Sequence, residues 1–399
     1  MPTNAPGGSS LSRILTLFGT RPEIIKLAPV IRALEENSDL STINVSSSQH
    51  TDLLRPFTRT FGVRIDHDLK VMRENQTPDA VCARVLQALG PVLEDIRPDL
   101  MLVQGDTTTA MAGALCAFHN RIPVGHIEAG LRSGNPINPF PEEMNRRLIS
   151  QMATHHFAST QHNRQTLLTE GIADASIFVT GNPVVDSLRG ILANPPSDAL
   201  GKIVENTFGY RRLVLTTHRR ESLGDVMRTN LELLRQFVEA REDIVLIFPV
   251  HPNPSVVDAA SKILSNQPRI HLIAPLDYPD FIHLLSEAWL IVSDSGGVQE
   301  EAPTLGKPVL VIRENTERPE AIEAGFSRLV GGSPQTLADM LEEADSKDSW
   351  ITSLSAAENP YGRGDSGEQI ATIVAELLGT KTAQEGITTA TNEMVMENG

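Results

Sequence analysis

Short hydrophobic runs alternate with longer amphipathic stretches along most of the chain. In the first half the runs predict strands at Arg13–Phe18, Ile43–Ser47, Asp99–Gln104, Pro123–Ile127 and His155–Ser159. In the second half they predict strands at Arg212–Thr216, Ile244–Pro249, Ile270–Ile273, Trp289–Ser293 and Pro308–Ile312. Strands that alternate with helical segments are typical of βαβ units and parallel sheets. The pattern therefore predicts an α/β protein with two doubly wound halves.

The boundaries of these halves follow from Pro195 and Pro196, which indicate a linker near residues 190–200. We predict an N-terminal Rossmann-like domain at 11–190 and a C-terminal one at 197–360. Helical periodicity in Gly367–Leu378 predicts a closing helix at about 365–379. Residues 380–399 are polar, with no apolar face, and are expected to form a loose tail.

The composition narrows the class of protein. The chain has 399 residues, of which 40% are hydrophobic and 21% charged, the balance of a globular protein. A formal charge of -16 disfavours nucleic acid and anionic membranes as partners. No run of 18 apolar residues is present, so we expect a soluble, cytoplasmic protein.

No metal is expected either. Cys82 and Cys116 are too far apart in sequence for a Cys-x-x-Cys metal motif. His126-x-Glu128 lacks the downstream Cys pair of a zinc deaminase.

Three carboxylates are the candidates for acid–base chemistry. Asp106 and Glu128 follow adjacent predicted strands, and Glu142 ends the long loop beyond the second. Ligands of open α/β sheets bind at the carboxyl ends of strands, so these groups are expected to converge. The alternative interpretations are structural: Asp106 as a helix N-cap, and Glu142 with Glu143 as favourable charges at a helix start.

Two segments favour phosphate binding. Gly19 permits a tight turn, and Arg21 with Lys26 brings cations to a helix N-terminus, although a turn with exposed basic residues explains them equally well. The stronger signal is Ser295-Gly296-Gly297, where backbone N–H groups can approach a diphosphate.

Other polar residues extend the second half's site. Glu301 could accept hydrogen bonds from ribose hydroxyls, and Arg313 and Arg318 supply cations. His218 and His251 are candidate acids or phosphate donors, or else structural histidines. Neither Gly-x-Gly-x-x-Gly nor a Walker A sequence occurs, so no nucleotide cofactor is expected.

Taken together, the motifs resemble those of the bacterial non-hydrolysing UDP-N-acetylglucosamine 2-epimerases over about residues 13–378. The segments that carry the resemblance are Phe18–Glu23, Gly105–Thr109, Gly125–Arg132, Pro141–Arg146, His218–Glu221, Asp294–Gly297 and Glu317–Glu320.

This resemblance implies a GT-B-type fold with an interdomain active site, in which the closing helix returns to the first domain. It implies Asp106, Glu128, Glu142 and His218 as catalytic residues. Substrate contacts would come from Arg21, Lys26, Phe281, Ser295, Gly296, Gly297, Glu301 and Arg318. An activator site is implied at Gln49, His50, Arg219 and His251.

The implied reaction converts UDP-GlcNAc to UDP-ManNAc by loss and re-addition of UDP, without a cofactor, and we expect a homodimer. Three rival functions remain open: a GT-B glycosyltransferase, a hydrolysing epimerase that releases free ManNAc, and a non-catalytic sugar-nucleotide sensor. The presence of all three carboxylates favours an enzyme over a sensor.

Overall fold

The computed structural model describes residues 11–48, 57–73, 76–217 and 224–379. These residues divide into two compact units. The first unit combines the chain up to Ser187 with the chain from Gly362 onward, and the second is Leu188–Tyr361. Each unit has its own parallel sheet, which confirms the predicted α/β class.

The first unit holds, within the described residues, a seven-stranded sheet in the order β3-β2-β1-β4-β5-β6-β7. Its strands are β1 (Ser12–Phe18), β2 (Leu40–Ser46), β3 (His67–Asp68), β4 (Leu100–Gln104), β5 (Val124–Ala129), β6 (His155–Ala158) and β7 (Ile177–Val179). Neighbouring strands are parallel. The strand order reverses between β1 and β4, and such a reversal is where open α/β sheets bind ligands. The turns after β1 and β4 are therefore the place for a ligand site in this unit.

Helices cover both faces of this sheet. They are α1 (Arg21–Glu36), α2 (Pro78–Ile96), α3 (Thr108–His119), α4 (Glu142–Met152) and α5 (Gln161–Thr169). The next helix, α6 (Val184–Leu192), contains the division between the two units, after Ser187. Alternate residues of the central strands enter different hydrophobic clusters: Ile14 and Leu102 lie in one, Leu15 and Val103 in the other. Because successive strand side chains point to opposite faces, two layers of helices are needed to bury them.

The closing helix, residues 366–379, packs into the first unit. Its Ile370 and Val374 join the hydrophobic cluster that contains Leu27 of α1. Close approach requires glycine at its start, because a Cβ at Gly367 would lie 2.7 Å from the carbonyl oxygen of Pro29. Any larger residue there would push the closing helix away from α1.

The second unit repeats the architecture. Its described residues form a six-stranded sheet in the order β10-β9-β8-β11-β12-β13, again parallel. The strands are β8 (Arg211–Thr216), β9 (Ile244–Pro249), β10 (Ile270–Ile273), β11 (Leu290–Ser293), β12 (Val309–Val311) and β13 (Ser327–Leu329). The helices are α7 (Asp198–Asn206), α8 (Asp225–Glu239), α9 (Pro254–Leu264), α10 (Tyr278–Ser286), α11 (Gly296–Leu305), α12 (Pro319–Glu323) and α13 (Pro334–Asp345). The order reverses between β8 and β11, so the turns after these two strands are this unit's place for a ligand.

The predicted strands are all present, with ends shifted by up to three residues. β2 begins at Leu40 rather than Ile43, and β5 continues to Ala129. The hydrophobic pattern missed β3, β7 and β13, which have two or three residues each. A period of two cannot be recognised over so few positions. The predicted tail, residues 380–399, lies outside the described residues.

Candidate active site

Glu128 owes its position to an irregularity at the end of β5. The pairing of β5 with β6 shifts register between Ile127 and Ala129, and Glu128 takes a left-handed conformation with φ 65°. For a non-glycine residue this conformation is strained and is frequent at functional sites. The buried carboxylate forms an ion pair with Lys26 of α1 and accepts a hydrogen bond from Gln104 Nε2 at 2.7 Å. Glu128 is thus a buried carboxylate held by a cation and an amide.

Asp106 lies in the neighbouring turn, after β4. Gly105, with φ 69°, turns the chain at the strand end and donates its N–H to the carbonyl of Ile127 at 3.0 Å. The carboxylate of Asp106 pairs with Arg146 of α4, and its backbone carbonyl accepts from Asn145 Nδ2 at 2.8 Å. Two side chains of α4 therefore fix this half-buried carboxylate beside the end of β5.

The two acidic residues at the start of α4 have different environments. Glu143 is fully buried and accepts from the Ser133 N–H at 2.8 Å and from Arg147 Nη2 at 2.9 Å. Burial opposes ionisation, but these donors outweigh it and lower the pKa of Glu143. Glu142 is only half-buried and lies one helical turn before Arg146, the partner of Asp106. Glu143 thus anchors the loop before α4, while Glu142 keeps the position of a candidate catalytic group.

His126 supports the Asp106 turn from within β5. It is completely buried, and its Nε2 lies 2.8 Å from the carbonyl oxygen of Gly105. Burial lowers the pKa of His126 to about 3, although the hydrogen bond to Gly105 opposes this shift. Because a carbonyl only accepts, the neutral ring must carry its proton on Nε2. His126 is therefore a neutral donor that orients the turn carrying Asp106.

We expect this histidine to make folding stability depend on pH. In the unfolded chain the pKa of a histidine is near 6.5, so at pH 5 only the unfolded state takes up this proton. The free energy of unfolding therefore falls by about 2 kcal/mol between pH 7 and pH 5. The loss continues as the pH falls towards about 3. His126→Gln keeps a donor for Gly105 and removes the titration.

Urea unfolding of both proteins at pH 7 and pH 5 measures the effect. The stability difference between the two pH values should be about 2 kcal/mol smaller in the variant. Equal differences in both proteins would show that His126 has the same pKa in the folded and in the unfolded state.

The two cations predicted for the first unit, Arg21 and Lys26, differ in how far they are exposed to solvent. Arg21, the first residue of α1, is exposed, and its guanidinium carbon lies 5.5 Å from the ring centroid of Phe57. Lys26 is buried and pairs with Glu128. A role of Arg21 and Lys26 as nucleotide contacts stays a prediction.

In the second unit, the glycine pair begins α11 as predicted. Ser295 is the N-cap and makes no capping hydrogen bond with its side chain. The guanidinium of Arg318 lies against this first turn, because a Cβ at Gly296 would be 2.8 Å from its Nη1. Arg318 Nε donates to Glu300 at 2.6 Å, and its Nη1 donates to Glu317 at 3.0 Å. A fixed cation and the N–H groups of a helix N-terminus thus meet at one place, which suits an anion.

Glu317 holds both arginines that the sequence suggested. It accepts from Arg313 Nη2 at 3.2 Å as well as from Arg318. Burial alone would raise its pKa, but Arg318 and Arg313 lower the pKa of Glu317 to about 2. The carboxylate therefore stays ionised and keeps both guanidinium groups in place.

The remaining predicted residues vary in their surroundings. Glu301 is buried on α11 and accepts from the Tyr278 hydroxyl at 2.8 Å. Phe281 is half-buried on α10, and His251 is exposed, with its Nδ1 accepting from the Asn253 N–H at 3.2 Å. His218, Gln49, His50 and Arg219 lie outside the described residues.

Sequence reasoning assigned no role to several residues that contact the candidate groups, or the turns that carry them, within each unit. They are Glu23, Gln104, Thr107, Asn145 and Arg146 in the first unit and Tyr278, Glu300 and Glu317 in the second. Gln104 could have been recognised as a candidate, because it is a polar residue at the last position of a buried strand. For Tyr278 no sequence signal existed.

Within the described ranges, no group of three or more His, Cys, Asp and Glu side chains could hold a metal ion. No described helix is long and apolar enough to cross a membrane.

Comparison with known proteins identifies the family. The family model of UDP-N-acetylglucosamine 2-epimerase matches residues 32–375. The chain belongs to this family. The UDP-N-acetylglucosamine 2-epimerase of Salmonella typhimurium is 43% identical over 365 residues, 90% of this chain and 97% of the relative. The resemblance inferred from the motifs is thereby confirmed.

Solved structures agree with this assignment. The crystal structure of the Neisseria meningitidis UDP-GlcNAc 2-epimerase bound to UDP-GlcNAc matches with a TM-score of 0.84 and 38% identity, covering 91% of this chain and 100% of that chain. The glycotransferase of kitacinnamycin matches with a TM-score of 0.65 at 12% identity, covering 92% and 99%, and this likeness concerns the fold alone. The GT-B-type class expected from the resemblance is confirmed.

Proposed function

We propose that this family member interconverts UDP-GlcNAc and UDP-ManNAc at C2 by elimination and re-addition of UDP, without hydrolysis. The observation that carries the proposal is the location of three carboxylates in the first unit, at the ends of two adjacent strands and at the start of α4. Asp106 and Glu128 end adjacent strands, and Glu142 begins the helix whose Arg146 pairs with Asp106. The Salmonella relative is a UDP-N-acetylglucosamine 2-epimerase, and its similarity to this chain supports the same reaction here.

The chemistry requires departure of the nucleotide. The C2 hydrogen of an N-acetylhexosamine is not adjacent to a carbonyl carbon, so a carboxylate cannot remove it unaided at neutral pH. Breaking the bond between C1 and the diphosphate oxygen gives an oxocarbenium-like centre, which acidifies that hydrogen. Loss of the proton then yields 2-acetamidoglucal and UDP. Re-addition of UDP at C1, with protonation of C2 from the opposite face, gives the epimer.

Proton transfer on two faces needs two acid–base groups. Asp106, Glu128 and Glu142 supply enough carboxylates for both faces. Lys26 and Gln104 contact the carboxylate of Glu128 and hold it in place, and Arg146 does the same for Asp106.

The second unit offers the stabilisation that the leaving group requires. Charge develops on the diphosphate as the anomeric bond breaks, and preorganised donors lower the free energy of that charge. We propose that the N-terminus of α11, with Ser295, Gly296 and the guanidinium of Arg318, receives the diphosphate. Glu301 would then accept from the ribose hydroxyls, and Phe281 would contact the uracil.

The fate of the C2 hydrogen tests the reaction. The purified protein is incubated with UDP-GlcNAc in D2O, and C2 is followed by proton NMR. We expect UDP-ManNAc with deuterium at C2, and deuterium entering the UDP-GlcNAc pool by the reverse reaction. The same incubation with Glu128→Gln serves as the control and should exchange far more slowly.

Each rival function predicts a spectrum different from that of the proposed reaction, and a sensor would leave UDP-GlcNAc unchanged. A hydrolysing epimerase would release free ManNAc, and a glycosyltransferase would leave C2 unchanged in the absence of an acceptor. Product that keeps its original C2 hydrogen would contradict elimination and re-addition.

A further inference from the structure

In each sheet, the two turns at the reversal of strand order are joined by a hydrogen bond from a threonine hydroxyl to an acidic side chain. In the first unit, Thr107 Oγ1 donates to Glu23 Oε1 at 2.8 Å and so joins the turns after β4 and β1. In the second unit, Thr217 Oγ1 donates to Asp294 Oδ2 at 2.8 Å and so joins the turns after β8 and β11. The proposed reaction assigns no role to either threonine.

We propose that Glu23 and Thr107 are positioning residues, whose hydrogen bond keeps the turn carrying Asp106 in register with the helix carrying Lys26. The inference rests on the proposed function, because the groups being positioned are those assigned to proton transfer. Displacements of about 1 Å in such groups are enough to lower turnover by about two orders of magnitude.

Glu23 determines the geometry after β1. Its Oε2 accepts from the Gly19 N–H at 2.9 Å, from the Thr20 N–H at 2.8 Å and from Thr20 Oγ1 at 2.8 Å. The side chain is almost completely buried, so these contacts are shielded from water. Lys26, three residues further along α1, pairs with Glu128. The direction in which α1 leaves β1 therefore decides where the ammonium of Lys26 lies.

Thr107 determines the geometry after β4. It is the N-cap of α3, and its Oγ1 accepts from the Ala110 N–H at 3.0 Å while donating to Glu23. The hydroxyl is thereby fixed by one acceptor and one donor. Because Asp106 immediately precedes Thr107, a change in the orientation of this residue moves the catalytic carboxylate.

The link does not require Glu23 to be charged. Burial raises the pKa of Glu23 to about 7, against hydrogen bonds from Gly19, Thr107 and Thr20 that favour the ionised form. A carboxylate accepts from the Thr107 hydroxyl, and a protonated carboxyl group can donate to it instead. Glutamine offers the same two functions, an oxygen for the N–H groups of the turn and an amide N–H for Thr107. The geometry of this side chain, and not its charge, is what the site needs.

The chain provides a matched control for Thr107. Thr77 caps α2 in the same unit by accepting from the Ala80 N–H at 3.3 Å, and within the described residues it makes no hydrogen bond to the turns after β1 and β4. Thr107→Ala and Thr77→Ala each remove one N-cap, so both should lower the melting temperature. We expect Thr107→Ala to lower kcat by about tenfold to a hundredfold with KM within about threefold, and Thr77→Ala to leave kcat unchanged.

Conservative variants separate the hydrogen bond from the charge. Thr107→Ser keeps the hydroxyl and should restore kcat to within about threefold of wild type. Glu23→Gln should retain most of the activity, whereas Glu23→Leu should lose as much as Thr107→Ala. Equal kcat in Thr107→Ala and Thr77→Ala, or loss of activity in Glu23→Gln as large as in Glu23→Leu, would overturn the proposal.

Hydrogen–deuterium exchange tests the link independently of turnover. In Thr107→Ala, peptides covering both turns, residues 19–24 and 104–109, should exchange faster than in wild type. In Thr77→Ala neither should change. Faster exchange in both turns of Thr107→Ala, together with a wild-type protein that does not epimerise UDP-GlcNAc, would refute the proposed function but support the hydrogen-bonded link. Faster exchange in the 104–109 peptide alone would refute the link.

Discussion

Replacing Asp106, Glu128 or Glu142 by the matching amide is expected to lower kcat for epimerisation of UDP-GlcNAc by about a hundredfold or more, the usual contribution of a general acid or base. An amide neither takes up nor releases a proton near neutral pH. In Glu128→Gln the buried ammonium of Lys26 also loses its counter-ion, so this variant should lose stability as well. In Asp106→Asn the amide still contacts Arg146 but carries no charge.

Steady-state kinetics with UDP-GlcNAc, alongside a melting temperature for each variant, measures the effect. A suitable control is Glu170→Gln, which removes a carboxylate of the same unit that pairs with Arg132 at 2.8 Å. It should leave kcat within about twofold of wild type, since Glu170 lies at the exposed C-terminal end of α5 and its ion pair is with Arg132, not with Lys26 or Arg146. Turnover near the wild-type rate in all three amide variants, with the proteins folded, would mean that these carboxylates only cap and brace the fold.

The second large effect is expected at Arg318. Arg318→Ala should weaken UDP binding by about 1.5 to 3 kcal/mol, or roughly tenfold to more than a hundredfold, because a charged hydrogen bond to phosphate is lost. Its guanidinium is held against the first turn of α11 by Glu300 and Glu317. The substitution also leaves these buried carboxylates with one cation fewer, and this adds negative charge where the diphosphate would bind.

Calorimetry with UDP compares this variant with Arg241→Ala. Arg241 belongs to the same unit and makes an equivalent pair of contacts, donating from Nε to Asp345 at 2.5 Å and from Nη2 to Glu342 at 2.7 Å. The control loses a comparable ion-pair network away from α11 and should bind UDP as wild type does. The same dissociation constant in wild type and Arg318→Ala would exclude Arg318 from the nucleotide site.

Much of the architecture could be predicted because it depends on local pattern. Buried parallel strands are continuous hydrophobic runs, and helices between them keep a period near 3.6, so neither needs knowledge of distant contacts. Asp106 and Ser295 could be located for the same reason. Each follows such a run, and the carboxyl ends of parallel strands meet at one edge of the sheet.

The sequence did not determine how deeply a given polar side chain is buried or which groups it contacts. Apart from the catalytic role predicted for Glu142, the pattern gave Glu142 and Glu143 the same structural alternative, as favourable charges at a helix start. In the structure Glu143 is fully buried and holds Ser133 and Arg147, whereas Glu142 stays half-buried beside Arg146. Two adjacent helical residues point about 100° apart, so which of them is buried depends on where the loop and the sheet lie.

The sequence by itself determined the α/β class, the order of the strands along the chain and the residues that follow them, because these are properties of neighbouring positions. Only the tertiary structure decided that β1 lies beside β4, that Lys26 pairs with Glu128 102 residues away, and that Arg318 covers Gly296. The partner of a charge is selected by packing and burial across the whole unit, and spacing along the chain carries no record of it. For this reason the candidate catalytic carboxylates could be named from the sequence, while the cations and hydroxyl groups that contact them could not be assigned to them.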